Sequence, residues 1–310
     1  MNENPRALSI TLSIAAVERD TGLSKDTLRV WERRYGFPTP ERDAIGERAY
    51  ALDQVERLRI VKRLLDVGHR PGRVVTLPLA ALQQLAASTV DHPRRARPTA
   101  LDDGDLQRLV EQLHAHDLAA LRRELSRLLA GRGVRGFITD VVAPLNHAVG
   151  DAWMRGQLEV FEEHLYSEAM QSVLRQALAS IPQADSGPRV LLTTLPGEPH
   201  GLGLLMAEAV LALEGCTCLP LGTQTPLLDI ARAARVMDCS IVGLGFTGCL
   251  PPKQMTDSLA ELRAELAPEV QLWAGGNAAS LQRRPPDGVV VVDSLQQIPQ
   301  LLRAQALHRD

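Results

Sequence analysis

"TTLPGEPHGLGLLMAEAVLALEG", residues 193–215, decides how the C-terminal part of this chain is read. It takes over from an apolar strand run, "RVLLTTL" (189–195), and ends in an apolar helix run, so "PGEPHGLG" is a strand-to-helix turn. A phosphate-binding turn at that place would carry a lysine or the pattern G-x-G-x-x-G, and this one has neither. His200 stands at its tip instead, with Glu198 two residues before and Gly203 three after. A neutral imidazole nitrogen suits a transition metal carried by a large ligand. The acid can accept the other ring N–H, which sets the tautomer and raises the basicity of the ligating nitrogen. Gly203 leaves space where a side chain would otherwise stand.

Working outward, "CTCLPLG", "CSIVGLGF", "VQLWAGG" and "GVVVVDS" continue an alternation of short apolar strands with amphipathic helices. Residues 187–308 are therefore expected to form a Rossmann-like, doubly wound parallel sheet of flavodoxin-like order. Ligands of such sheets bind at the carboxyl ends of the strands, near the switch point after the first. Residues 105–183 repeat apolar positions at three and four, with Gly131, Gly133, Pro144 and Gly156 as breaks, which predicts a four-helix bundle. Within it, Trp153 is followed nine residues later by Glu163-His164. Taken alone, the tryptophan reads as core and the Glu-His pair as surface. Residues 81–104, where small, basic and proline residues mix, read as a linker in which Arg94, Arg95 and Arg97 are solvated.

The 310 residues are 45% hydrophobic with a net charge of −3, a folded rather than a disordered composition. No apolar run approaches the ~20 residues of a transmembrane helix, and the N-terminus has no signal-peptide core, so a cytoplasmic location is expected. Residues 1–100 carry 17 lysines and arginines against 12 acids, a net of +5, while the remainder carries −8. The head alone is suited to a polyanion. Cys216, Cys218, Cys239 and Cys249 lack metal-finger spacing and read as buried small hydrophobes.

The head, residues 10–80, begins "SIAAVERDTGLSKDTLRVWERRYGF" and reads as helix, turn, helix. Ser13 and Ser24 are capping residues, and Gly22 makes the turn. Leu28 and Trp31 lie on one face of the second helix, and Lys25, Thr27, Arg29, Arg33 and Arg34 on the other. That division fits a recognition helix, which needs an apolar side for the scaffold and cations for phosphates and base edges. The W-E-R-R-Y-G-F at Trp31–Phe37, P-x-R at Pro40–Arg42, R-x-Y at Arg48–Tyr50 and "LLDVGHRP" follow in order. Over about residues 12 to 77 the chain resembles the winged helix-turn-helix head of the MerR family of transcription regulators. The resemblance implies that Arg29, Arg33 and Arg34 lie at or near the major groove and that Arg42, Arg48 and Tyr50 serve the wing. Thiol-sensing members carry cysteines after the dimerisation helix, and here none precedes Cys216.

Glu198-Pro-His200-Gly-Leu-Gly203 resembles the D/E-x-H-x-x-G signature of cobalamin-binding domains. Such domains continue with S-x-L and then G-G. In this chain 41 residues separate Gly203 from Gly245-Phe-Thr247, and 27 more precede Gly275-Gly276. Head, bundle and sheet in this order resemble the cobalamin-dependent, often light-responsive, MerR-type repressors of carotenoid and photoprotective genes. Their W-x9-E-H motif matches Trp153, Glu163 and His164. The resemblance implies a non-enzymatic switch in which His200 ligates cobalt from below. Trp153 would cover the upper group, Glu163 would bond the ribose of adenosylcobalamin, and His164 would support that upper face. It also implies a homo-oligomer, dimer or tetramer, on double-stranded DNA with paired half-sites, and release of DNA on photolysis of the cobalt–carbon bond. Two departures stand out. Gly245 replaces the serine that bonds the buried nucleotide base, leaving Thr247 or Thr223 as alternative hydroxyls. Met154 replaces the histidine that follows the tryptophan in light-responsive members, with His147 as a distant substitute. A cobalamin-independent regulator and a corrinoid methyl carrier remain the alternatives.

Overall fold

The first helices of the head start and stop for local reasons. The Ser13 hydroxyl accepts the Ala16 N–H and the Ser24 hydroxyl accepts the Thr27 N–H, each satisfying an orphan donor of a first turn. Gly22 and Gly36 close the same helices at φ +69° and +68°. The computed structural model describes residues 11–43, 45–66, 69–90, 103–154, 156–182, 187–276, 281 and 286–306. The chain divides into two compact units, one from residues 1–95 together with 151–157, the other from 96–150 and 158–310.

In the first unit β1 (Thr11–Ser13), α1 (Ile14–Thr21) and α2 (Lys25–Tyr35) lead to the hairpin β2 (Glu41–Arg42) and β3 (Arg48–Ala51). The antiparallel sheet has the order β1-β3-β2. Then come α3 (Leu52–Asp66), α4 (Pro71–Val74) and α5 (Leu79–Val90). Val17, Leu28, Trp31, Val55, Leu58 and Leu64 form the centre of one core. The predicted linker start is corrected here. Residues 79–90 are helical, and Leu82 and Ala86 are buried in the core of the head. Their i, i+4 spacing makes one apolar stripe on a helix otherwise rich in small residues, so the head runs past residue 80. Arg94, Arg95 and Arg97 lie outside the described residues.

The second unit begins with α6 (Asp103–His114), α7 (Leu118–Gly136), a π-helical stretch (Phe137–Val142), α8 (Ala143–Met154) and α9 (Val160–Ala179). The end of α8 is grouped with the first unit. Asp117 caps α7 by accepting the Ala120 N–H at 2.8 Å. Gly133, at φ +67°, interrupts its helical backbone. Leu121, Leu125 and Leu128 of α7 and Tyr166, Met170, Val173 and Leu174 of α9 are buried at helical spacing, and the two helices pack together.

The sheet follows through β4 (Arg189–Thr193), α10 (Leu202–Leu213), β5 (Thr217–Gly222) and α11 (Leu227–Val236). It continues with β6 (Ile241–Phe246), α12 (Pro252–Glu265), β7 (Gln271–Gly276), β8 (Val289–Val292) and α13 (Ile298–Ala306). Its five parallel strands have the order β5-β4-β6-β7-β8, the expected flavodoxin-like order. The central strands β4, β6 and β7 are largely buried, as a parallel sheet covered by helices requires, while the edge strands β5 and β8 are only partly so. Within this unit α10 packs against α9 and α7, and Arg135 pairs with Glu214 at 2.5 Å. The chain leaves β4 toward one neighbour and returns to β6 on its other side. Two loops therefore part at the carboxyl end of the sheet, the one after β4 and the one after β6. Among the described residues, no helix is long and apolar enough to cross a membrane.

Candidate functional site

The loop after β4 carries the Glu-Pro-His triplet, and the loop after β6 supplies what holds it. Glu198 is fully buried, at 0% exposure. Its Oε1 accepts from His200 Nδ1 at 2.7 Å and from the His200 backbone N–H at 3.3 Å. Its Oε2 accepts the Thr247 backbone N–H at 2.8 Å, and the Thr247 hydroxyl lies 2.9 Å from both oxygens. Burial would raise this carboxyl, but the bonds from His200 and Thr247 outweigh it and hold Glu198 below the usual carboxylate range. It is a buried anion with its lone pairs satisfied, aimed at one imidazole.

His200 itself is accessible, with 53% of its side chain exposed. Bonding to Cys249 and to Glu198 outweighs burial and lifts the imidazole to about 10. With Nδ1 turned to Glu198, Nε2 has no hydrogen-bond partner among the described residues. Cys249 was read from sequence as a buried small hydrophobe, and that reading is corrected. Its thiol is half-buried and lies 3.6 Å from His200 Nδ1. Nothing local in the sequence pointed to it, because 49 residues separate it from His200. Cys216 and Cys239 are buried as expected, and Cys218 is partly so.

The residues present fit a metal-bearing ligand at His200. Gly203 has open space where its Cβ would stand. Gly245 differs, since a Cβ there would lie 3.0 Å from Leu204 Cγ. Leu204 thus occupies the place of the serine that the signature would have, and the Thr247 hydroxyl is committed to Glu198. Thr223 lies beside Gly201. Gly275 pairs with Val292 and Gly245 across β7, and Gly276 pairs with Phe246.

On α9, Glu163 and His164 sit side by side, with Glu163 Oε2 2.9 Å from His164 Nδ1 and Glu163 Oε1 accepting from Ser167. The helix start that carries them is clamped by a residue the sequence reading passed over. Glu162 is buried, closes a capping box with Glu159, and lies 3.3 Å from His114 Nδ1 and 3.1 Å from His116 Nε2. Burial would raise its carboxyl, yet the Glu159 N–H and the two histidines prevail and lower it. Trp153 lies in the last turn of α8, in the short segment 151–157 that the division into compact units joins to residues 1–95. The Arg63 guanidinium of α3 lies 4.2 Å from its ring centre and donates to its carbonyl. His147 is exposed on α8.

In the head, Leu28 and Trp31 are buried, and Arg29, Arg33 and Arg34 are exposed on α2. Arg33 has no ion-pair partner among the described residues, whereas Arg29 pairs with Asp26 at 3.2 Å and Lys25 with Glu18 at 3.5 Å. The Thr27 hydroxyl bonds Ser24, and Arg34 lies over Tyr35. Arg42 donates to the Gly46 carbonyl at 2.7 Å and so closes the wing turn. One wing expectation is corrected. Tyr50 is fully buried, so it supports the wing from the core and cannot reach DNA. Arg48 pairs with Glu32 at 2.8 Å, which ties the wing to the recognition helix.

Comparison with known proteins agrees with this arrangement. Residues 12–77 match the family "MerR HTH family regulatory protein", and residues 105–177 match "B12 binding domain". The HTH-type transcriptional repressor CarH of Myxococcus xanthus is 31% identical over 260 residues, 83% of this chain and 86% of that protein. This chain belongs to the family of the MerR-type repressors CarH and CarA. CarA of the same organism is 30% identical over 84% of each chain. Among solved structures, the Methanosarcina barkeri monomethylamine corrinoid protein superposes with a TM-score of 0.53 at 15% identity, covering 67% of this chain and all of that one. That likeness concerns the fold alone. A MerR head joined to a B12-binding domain makes this family member a DNA-binding regulator; CarH and CarA are transcriptional repressors.

Proposed function

We propose that this chain is a repressor whose hold on DNA is set by adenosylcobalamin, and that it responds to light. The observation that carries the reading is the Glu198–His200 pair at 2.7 Å on an open strand-end loop. Adenosylcobalamin supplies a cobalt in need of a lower ligand and, above it, a bulky group on a photolabile bond. His200 would hold that cobalt through Nε2 after losing the proton there, with Glu198 keeping the proton on Nδ1. Thr247 fixes Glu198 through backbone and hydroxyl, so the imidazole has one orientation. Gly203 leaves the space beside it open, and Gly275 and Gly276 keep the neighbouring strand end free of side chains. Glu163, steadied by Ser167, offers its carboxylate to the ribose of the upper group, with His164 beside it. The W-x9-E-H motif assigns Trp153 the role of covering that group.

Regulation then follows from a difference in affinity between two states, since a ligand moves an equilibrium only that far. The form with its upper group in place favours a homo-oligomer, and oligomers raise the effective concentration of heads at paired half-sites. In each head Arg29, Arg33 and Arg34 of α2 meet the major groove, Lys25 and Thr27 flank them, and Arg42 reaches from the wing.

The deciding experiment mixes the full chain with adenosylcobalamin in the dark, desalts it, and records the absorption spectrum and the oligomer size before and after green light. Retained colour, a light-induced spectral change and a fall in size are expected. A colourless protein that still binds DNA overturns the cofactor assignment and leaves a cobalamin-independent regulator. Retained colour with no change in size under light removes the light response alone. In the head, Arg33→Ala is expected to weaken operator binding roughly tenfold and to lower the salt dependence of log K by about one unit per site. Equal affinity and slope in a filter-binding series across salt would remove Arg33 from the interface.

A further inference from the structure

Glu198, His200 and Cys249 each offer a metal-ligating atom, and these atoms all lie within 4.8 Å of one another. His200 Nδ1 and Cys249 Sγ are 3.6 Å apart. Bond lengths of about 2.3 Å to sulfur and about 2.05 Å to nitrogen at a tetrahedral angle place those two atoms ~3.5 Å apart around zinc. The nitrogen and carboxylate oxygen are 2.7 Å apart, so a cation between them needs that gap to open by roughly 0.7 Å, a movement open to the half-exposed His200 side chain at the loop tip. Thr247 holds Glu198 Oε2 by its backbone N–H, and its hydroxyl, 2.9 Å from both carboxylate oxygens, also lies 3.2 Å from His200 Nδ1 and 3.3 Å from Cys249 Sγ, so it borders the cluster as a further oxygen. The exposed side of His200 and Cys249 admits water as a fourth ligand. A thiolate, an imidazole and a carboxylate with an open fourth position make a donor set for a borderline-soft divalent cation.

We propose that Glu198, His200 and Cys249 form a site for one zinc-like divalent cation, and that filling it excludes cobalamin. The exclusion follows from the tautomers of one ring. A cation binding here releases the Nδ1 proton and the Cys249 thiol proton to water, and the proton left on Nε2 then blocks a second metal. Cobalt on Nε2 conversely needs Nδ1 to stay protonated. The two ions compete for one imidazole without sharing a nitrogen. The exclusion rests on the assignment of cobalt to His200, whereas the cation site does not. Other thiols are poor rivals, because burial pushes Cys216 up to about 11 and Cys218 up to about 12.

The test uses the full chain free of cobalamin, with Co2+ alone as the spectroscopic stand-in for zinc. One equivalent is expected to produce a thiolate-to-cobalt charge-transfer band in the near ultraviolet and the intense visible bands of four-coordinate cobalt, both erased by added Zn2+. Cys249→Ser should abolish the charge-transfer band and still take up hydroxocobalamin, and Cys218→Ser should keep the band. Zinc-loaded wild type should bind hydroxocobalamin at least tenfold more weakly, with recovery on adding a chelator and no zinc effect in Cys249→Ser. Weak six-coordinate bands without charge transfer, or the same charge-transfer band in Cys249→Ser, would overturn the site. A Cys249-dependent band with hydroxocobalamin binding unaffected by zinc would overturn the exclusion. Should the metal-free protein take up no hydroxocobalamin at all, the functional reading fails, while the Co2+ spectrum still decides the cation site.

Discussion

His200→Ala is expected to weaken hydroxocobalamin binding by more than ~100-fold, about 2.8 kcal/mol at 1.4 kcal/mol per factor of ten. The loss comes from the cobalt–nitrogen bond itself and from the idle Glu198 carboxylate it leaves behind, buried and still pinned by Thr247. Glu198→Gln should cost less, roughly 10–100-fold, by a different route. Its amide must accept from the Thr247 N–H and so would turn its NH2 toward His200. That favours the tautomer with the proton on Nε2, the wrong one for ligation. The pH dependence separates these effects. His200 is raised to about 10, so ligation near neutrality releases one proton from the wild type, and affinity climbs with pH and levels off above about 10. The climb is at most ~tenfold per unit, and it disappears in His200→Ala. Equilibrium titrations across pH, read from the cobalamin spectrum, make the comparison. A His200→Ala protein with wild-type affinity and spectrum would place cobalt elsewhere.

Gly276→Ala is expected to destabilise the second unit by about 4 kcal/mol, combining about 1–3 kcal/mol of backbone strain with a similar cost of overpacking. Gly276 has φ +117°, and a Cβ built on it would lie 2.0 Å from the Phe246 carbonyl oxygen. That oxygen is part of the pairing between β6 and β7, with Phe246 opposite Gly276, so it cannot withdraw without opening the ladder. Four kilocalories are a large part of a domain's usual stability. The urea midpoint should fall accordingly, and cobalamin retention should fall with it. Gly203→Ala is the matched contrast, because nothing stands within 4 Å of its Cβ. Its urea midpoint should move by no more than about 0.5 kcal/mol while cobalamin retention drops. If Gly276→Ala unfolds like the wild type, the close approach at the end of β7 is relieved by local backbone movement.

The features legible in the sequence were those set by near neighbours. Ser13, Ser24 and Gly22 act within one helical turn of themselves, so their caps and turns needed no tertiary contact. Apolar runs spaced by amphipathic helices implied five parallel strands with the chain switching sides after the first, because short crossovers leave few other orders. Glu198 and His200 are two residues apart on one tight turn, and their hydrogen bond was implicit in that spacing. The start of α5 was misread because Leu82 and Ala86 are a thin apolar stripe among small residues, and only the head's core shows what they bury against. Tyr50 looked like a wing contact until its burial placed it in the core.

Sequence by itself determined the elements, their order and the identity of the exposed imidazole, since periodicity, capping and turn chemistry are local. Tertiary structure alone decided what surrounds that imidazole. Pairing of β4 with β6 brings Thr247 and Cys249 to His200 across 47 and 49 residues, and no local rule encodes which two strand ends become neighbours. It also decided that Leu204 fills the space at Gly245 and that Trp153 lies under Arg63, because both depend on side chains meeting across elements distant in the chain.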